Sequence, residues 1–205
     1  LETLLADGQI EKALEVNKRL EADGMIIHVN PLQEWAQPEG DRYKRPAIET
    51  IQKVCSATDI PLVVKEVGQG MGPKSLEILS TLPIAAIELA GFGGTNFTLL
   101  EQARRSVAIS GKNGPREYFG YIGHTAEQMI EWLNVQNGTK PEIIISGGIK
   151  SPIQAHSLML KYEGNCVSGM ASEVLKYALG DYEELRLFLM QLRESFAMAK
   201  AYIKR

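Results

Sequence analysis

The chain has 205 residues, 44% of them hydrophobic and 23% charged, and its 22 basic and 25 acidic residues leave a net charge of −3 at pH 7. These proportions fit one globular domain with a substantial core and exclude wholesale disorder and fibrous repeats. Without a basic excess there is no general affinity for nucleic acid, and no apolar run approaches the ~20 residues of a membrane-crossing helix.

The first residues already read as a helical pattern in mid-course. Leu1 stands where a translated chain carries Met, as expected of a processed, truncated or partial sequence without a signal peptide. Residues 9–22 place Ile10, Ala13, Leu14, Val16 and Leu20 mostly on one side of a helix. A strand is predicted at 25–29, a helix at 47–57, a strand at 62–67, a helix at 73–82 and a strand at 84–89. A long insert follows, in which the Gly-rich, polar stretch 110–123 predicts a mobile loop. Then come a helix at 125–135, a strand at 142–146, a helix at 152–162, a strand at 165–169, a helix opening at Ser172 and a last helix at 181–203. Pro46, Pro73 and Pro152 sit near helix starts, where a missing N–H costs nothing. The strands are short, rich in Ile and Val and not clearly alternating, as expected of parallel strands covered on both faces. Cys55 and Cys166 lie in apolar patterns without metal-knuckle spacing, which predicts reduced thiols and a cytoplasmic protein.

This alternation implies an α/β fold with a parallel sheet, and residues 1–205 show no linker or second domain, as expected of the carboxyl-terminal portion of a single domain. Five strands suit a doubly wound, flavodoxin-like sheet. They also suit the later part of an eight-stranded barrel, which the abrupt start favours.

In parallel α/β proteins ligands gather at the carboxyl ends of the strands, and here those ends carry the unusual residues. After the first strand come His28, Asn30, Gln33 and Glu34, then Gln37-Pro38-Glu39-Gly40-Asp41-Arg42. Lys65 ends the second strand inside an apolar run, where an unpaired ammonium is costly and calls for an anionic or electron-rich partner. Gly93-Gly94-Thr95-Asn96 follows the third strand, Ser146-Gly147-Gly148-Ile149-Lys150 the fourth, and Gly169-Met170-Ala171-Ser172 the fifth. Glycine loops and helix starts after the last two strands form the usual phosphate site of a barrel. The chemistry predicts a phosphorylated cofactor or substrate across the strand ends, faced by a carboxylate-rich loop able to hold a divalent cation.

The run from His28 to Arg42 resembles the signature loop of type 2 isopentenyl-diphosphate isomerases. Val64-Lys65-Glu66-Val67-Gly68, Gly93-Gly94-Thr95-Asn96-Phe97, Ser146-Gly147-Gly148-Ile149 and Gly169-Met170-Ala171 match that family's later motifs in order. The resemblance implies a (β/α)8 TIM barrel holding FMN, with this chain supplying about strands 4 to 8 and lacking the amino-terminal third. It further implies that Lys65 and Thr95 contact the flavin and its ribityl chain, and that Gly147, Gly148, Ile149, Ala171 and Ser172 hold the FMN phosphate. Gln33 would face the reacting end of the substrate, Glu34 would ligate Mg2+, and His28 and Asn30 would contact the diphosphate. Two positions depart from the family's habit: Ala90, where Ser or Gly is common, and Lys150, where Arg is common.

The implied reaction is the interconversion of isopentenyl and dimethylallyl diphosphate in isoprenoid biosynthesis. It needs reduced FMN and Mg2+, with NADPH to reduce the flavin, in a cytoplasmic homo-oligomer with no nucleic-acid or membrane partner. The isolated chain is expected to be inactive. Two rivals stand beside this reading: another FMN barrel oxidoreductase, such as a 2-hydroxy-acid oxidase, and an inactive fragment of the isomerase. An oxidase would call for a late histidine base; His124 and His156 are the candidates, and His156 lies within a predicted helix.

Overall fold

The computed structural model describes residues 9–106 and 115–204. Strands β1 (Met25–His28), β2 (Leu62–Lys65), β3 (Ala86–Glu88), β4 (Ile143–Ile145) and β5 (Cys166–Ser168) form one sheet in the order β1-β2-β3-β4-β5. Every neighbouring pair is parallel. A doubly wound sheet reverses its strand order at a switch point. Here every crossover moves the chain one strand further in the same direction, which builds the wall of a β/α barrel and removes the flavodoxin-like alternative. β1 and β5 do not pair with each other, so the wall is open.

Ile27, Val64, Ile87 and Ile143 fall in one register row and are 0–3% exposed, packed under the helices. The opposite face departs from the expectation of cover on both sides. Ile26 and Val167 point away from the helices and are each 58% exposed, because the inner face of a barrel wall is covered only by strands that close the barrel.

The helices are α1 (Gln9–Arg19), α2 (Pro31–Ala36), α3 (Ala47–Ala57), α4 (Pro73–Leu79), α5 (Phe97–Ser106), α6 (Ala126–Val135), α7 (Pro152–Lys161), α8 (Ser172–Ala178) and α9 (Tyr182–Tyr202). Two expected first residues, Thr125 and Asp181, serve as caps, as does Ser151, one residue before the expected start of its helix. The Thr125 hydroxyl accepts from the Gln128 amide at 3.2 Å while the Gln128 side chain accepts from the Thr125 amide at 3.0 Å, a capping box at the start of α6. Ser151 caps α7 through the Gln154 amide at 3.2 Å. Asp181 caps α9 by accepting from the amides of Glu183 and Glu184 at 2.8 and 3.2 Å.

Helices α2 and α5 were not expected. The first has six residues inside a polar loop, too short to show a period. The second turns Thr98 and Glu101 inward, 0% and 5% exposed, so its buried stripe is polar in sequence. Of the expected mobile loop at 110–123, residues up to 114 lie outside the described residues, and Pro115–Tyr121 forms a 3-10 helix. No helix among the described residues is long and apolar enough to cross a membrane.

Met129, Ile130 and Leu133 of α6 are fully buried and join the strand isoleucines in the core. Truncation there removes transfer energy and leaves a cavity. Leu133→Ala should cost about 2–5 kcal/mol in urea denaturation; a loss under about 0.5 kcal/mol, typical of the surface, would show that α6 is not seated on the sheet.

Candidate functional site at the strand ends

Parallel pairing brings five strand ends to one rim. His28, Lys65 and Glu88 share a register row across β1, β2 and β3 on the face away from the helices. With the loops above them they line a cleft of about 670 Å3, within the range of small-molecule sites. The residues to which the resemblance gives ligand roles meet there: His28, Asn30, Gln33 and Glu34 from the first loop, Lys65, Thr95, the Gly147-Gly148-Ile149 turn, and Ala171 with Ser172; Glu39 and Asp41 of the carboxylate-rich loop do not line it. Lys150 is not part of the lining; its amide donates to the Gln154 side chain at 3.0 Å.

The first loop is built around Asn30. This buried residue precedes α2, yet its side chain does not cap the helix. Its amide nitrogen donates to Gln33 Oε1 at 3.2 Å and to Glu34 Oε1 at 2.9 Å, so one group sets both side chains. Glu34 Oε2 accepts from the Asp41 amide at 2.8 Å. The Arg42 guanidinium donates to the carbonyls of Glu34 at 2.7 Å and Gly40 at 2.8 Å, drawing residues 34–42 into a closed turn. Gln37 donates to Glu101 Oε1 of α5 at 3.0 Å, and Arg104 pairs with both Glu101 and Glu39. Trp35 packs on Phe119 with ring centroids 4.7 Å apart. A six-residue helix, marginal alone, is thereby clamped from two sides.

The glycine loops after β3 and β4 touch. Gly147 has φ +95°, and a Cβ there would lie 2.1–2.2 Å from the Gly91 backbone; only glycine permits this approach. The amides of Gly147, Gly148 and Ile149 find no acceptor among the described residues, which suits a cradle for an anion. Ala90 occupies the left-handed region at φ +42°, where glycine is the easier residue. Its amide is held by Ser146 Oγ at 3.1 Å, and the same hydroxyl donates to Glu88 Oε1 at 3.0 Å.

Glu88 is a site residue that the sequence reading does not pick out, and Ser146 is picked out there only as part of its glycine loop, with no role of its own. Glu88 ends an apolar strand as Lys65 does, and that shared pattern was the available signal. The two late histidines fall elsewhere. His156 Nε2 hydrogen-bonds the Ile203 carbonyl oxygen at 3.0 Å, and His124 packs edge-on to Trp132 outside the cleft.

The donor set fits an anionic cofactor better than a caged metal. Among the described residues no group of three or more His, Cys, Asp or Glu could hold an ion. Glu34 offers a single carboxylate, which fits a Mg2+ that completes its shell with substrate phosphate and water.

Partial burial lowers the His28 imidazole from its ordinary 6.5, the Lys65 ammonium lowers it further, and the Glu34 and Glu88 carboxylates oppose them. The ring is therefore neutral at pH 7. Its folded state binds fewer protons than the unfolded chain just below 6.5, so stability rises with pH through that window. Lys65→Met should raise the His28 midpoint in an NMR titration of the ring protons. An unmoved midpoint would remove the coupling between the two.

No family model matches the chain. Among curated relatives, it is 34% identical over 180 residues to the isopentenyl-diphosphate delta-isomerase of Bacillus licheniformis, covering 87% of this chain and 48% of the relative. It is 31% identical over 198 residues to the enzyme of that name from Listeria monocytogenes serotype 4a, covering 94% of this chain and 53% of the relative. The chain thus spans about half the length of the curated relatives it matches. Among solved structures, mandelate oxidase with (S)-4-hydroxymandelic acid aligns with a TM-score of 0.54 at 12% identity, over 96% of this chain and 58% of that one. A mandelate oxidase variant with a monooxide FMN adduct aligns with a TM-score of 0.51 at 16% identity, over 94% of this chain and 55% of that one. At such identities the likeness shows the fold alone, that of an incomplete barrel. Over most of its length the chain is thus homologous to the isopentenyl-diphosphate delta-isomerases, and it is a partial counterpart of their sequence.

Proposed function

We propose that this chain forms the flavin and diphosphate wall of an enzyme that interconverts isopentenyl and dimethylallyl diphosphate, using reduced FMN, Mg2+ and NADPH as the flavin's reductant. The observation that carries the reading is the meeting, in one cleft, of a clamped Asn30–Gln33–Glu34 loop with a glycine turn whose amides face no acceptor among the described residues. The relatives named as isomerases support the reaction. A homo-oligomer in the cytoplasm belongs to the same reading.

An alkene is a poor base, so moving its double bond requires a placed acid and stabilisation of developing cationic charge. Reduced FMN, when bound, supplies an electron-rich ring and a nitrogen able to exchange a proton. The chain's own residues hold and orient. Gly147, Gly148 and Ile149, with Ala171 and Ser172, would hold the FMN phosphate, and Lys65 and Thr95 the ring and ribityl chain. His28, neutral at pH 7, would offer one N–H donor to the diphosphate without adding a charge, and Asn30 would act beside it. Gln33 would face the reacting carbon. Glu34 would hold Mg2+ against the diphosphate, where the cation would offset the phosphate charge and fix its position. The mandelate oxidase likeness favours a second reading, a flavin-dependent oxidation of a 2-hydroxy acid, through the fold only.

With β1 and β5 as open edges, residues 1–205 alone should bind FMN weakly and show no robust conversion of isopentenyl diphosphate in the presence of reduced FMN and Mg2+. Robust turnover would show this wall to be a complete enzyme, and oxidation of a 2-hydroxy acid would replace the isomerase reading. In a full-length protein carrying this chain, Glu34→Gln should leave FMN affinity intact and weaken Mg2+ binding, read by calorimetry with diphosphate present, at least about 10–100-fold, the range typical of milder outer-shell changes. An unchanged Mg2+ titration would take Glu34 out of the metal site.

A further inference from the structure

Glu66 follows Lys65 directly but turns to the other side of the sheet, as neighbours on a strand do, and is only 6% exposed. Its Oε2 accepts from four consecutive backbone amides, those of Val67, Gly68 and Gln69 at 2.6 Å each and Gly70 at 2.9 Å. Successive amides turned to one side form a nest that binds anions; here the chain's own carboxylate fills it. Burial pushes this carboxyl above its ordinary range, and the four amide donors pull it back toward the ionised form.

The loop so closed reaches the flavin side of the cleft by three routes. The Glu66 carbonyl accepts from Lys65 Nζ at 2.8 Å. Gln69 donates to Asn96 Oδ1 at 3.2 Å, and its carbonyl accepts from the His124 amide at 2.8 Å. Gly68, at φ +141°, lies so close to the next loop that a Cβ there would be 2.5 Å from the Thr95 carbonyl oxygen. One residue therefore ties Lys65 through its carbonyl and the Thr95 loop through its carboxylate.

We propose that Glu66 is a positioning residue for the flavin wall: its carboxylate closes the loop at 67–70, and that closed loop sets the Lys65 ammonium and the Thr95-Asn96 turn. The proposal rests on the flavin reading above for its functional consequence. It also assigns the two amide nests different tasks. The one after β2 is satisfied internally, while the Gly147-Gly148-Ile149 amides are left for a ligand.

The test compares the whole chain with its Glu66→Gln, Lys65→Met and doubly substituted variants. Glu66→Gln keeps the shape and removes the charge, so charge-assisted bonds become neutral ones. Amide hydrogen exchange at 67–70 and 95–96 should quicken about tenfold or more, while amides of β4 and β5 and the melting curve stay as they were. Glu66→Gln should raise the FMN dissociation constant, read by fluorescence quenching, about tenfold. In the Lys65→Met background the same change should add less than about twofold, since residues acting through one another are not additive. Unchanged exchange at 67–70, or full additivity with Lys65→Met, would overturn the proposal. If the unaltered chain binds no FMN, the flavin reading fails by itself. Exchange at 67–70 and the NMR shift of the Lys65 ammonium then decide the role of Glu66, and an unmoved Lys65 signal in Glu66→Gln refutes it.

Discussion

Parallel pairing between strands that are consecutive in the chain is the constraint on which the rest depends. Each strand enters the sheet one place beyond the last and in the same direction, so every carboxyl end arrives at the same rim. The side-chain period of two then divides labour within each strand. Ile27, Val64 and Ile87 turn under the helices, while His28, Lys65 and Glu88, displaced by one residue, turn into the cleft. A slip of one residue in register would bury these three polar groups and expose the core. Hydrophobic burial on one face thus fixes the geometry of the polar row on the other.

Above that rim the loops are held by two kinds of force. Residues 34–42 depend on hydrogen bonds to charged groups: Asn30 to Glu34, Arg42 to backbone carbonyls, and the Gln37–Glu101–Arg104–Glu39 chain. Such contacts are directional and suit side chains that must point at a ligand. The loops after β3 and β4 depend instead on the absence of side chains, which lets Gly147 lie against Gly91 and leaves amides turned outward. Polar anchoring at one end of the cleft and bare backbone at the other make a site with two distinct chemistries, carboxylate and amide side chains at one end and backbone N–H groups at the other.

The charges follow the same logic. Lys65 donates a hydrogen bond to the Glu66 carbonyl and lies near His28, whose imidazole is pushed below its ordinary value first by burial and then by the Lys65 charge. Glu66, one residue later, is buried beneath its own loop. Adjacent residues of opposite charge do not pair, because the strand sends them to opposite faces.

Much of this was legible from the residues alone. Ile- and Val-rich runs between segments of helical period fix the elements, because burial must repeat at 2.0 or 3.6 residues. The loop from His28 to Arg42 and the glycine turns carry the resemblance to the isomerases, because their chemistry is local and dense. The tertiary structure decided the rest, for reasons of distance and face. The strand order separates a barrel wall from a doubly wound sheet, and no local pattern encodes which strands become neighbours. Helix α5 hides its buried face behind Thr98 and Glu101, and Glu101 is held by Gln37, 64 residues away. Glu88 and Ser146 become site residues only when β3 and β4 pair and bring a carboxylate and a hydroxyl from 58 positions apart within 3.0 Å. The acceptor of the Lys65 proton and the destination of the Glu66 carboxylate likewise required the folded loop, since a carboxylate's partners here are backbone amides, which every sequence possesses and none announces.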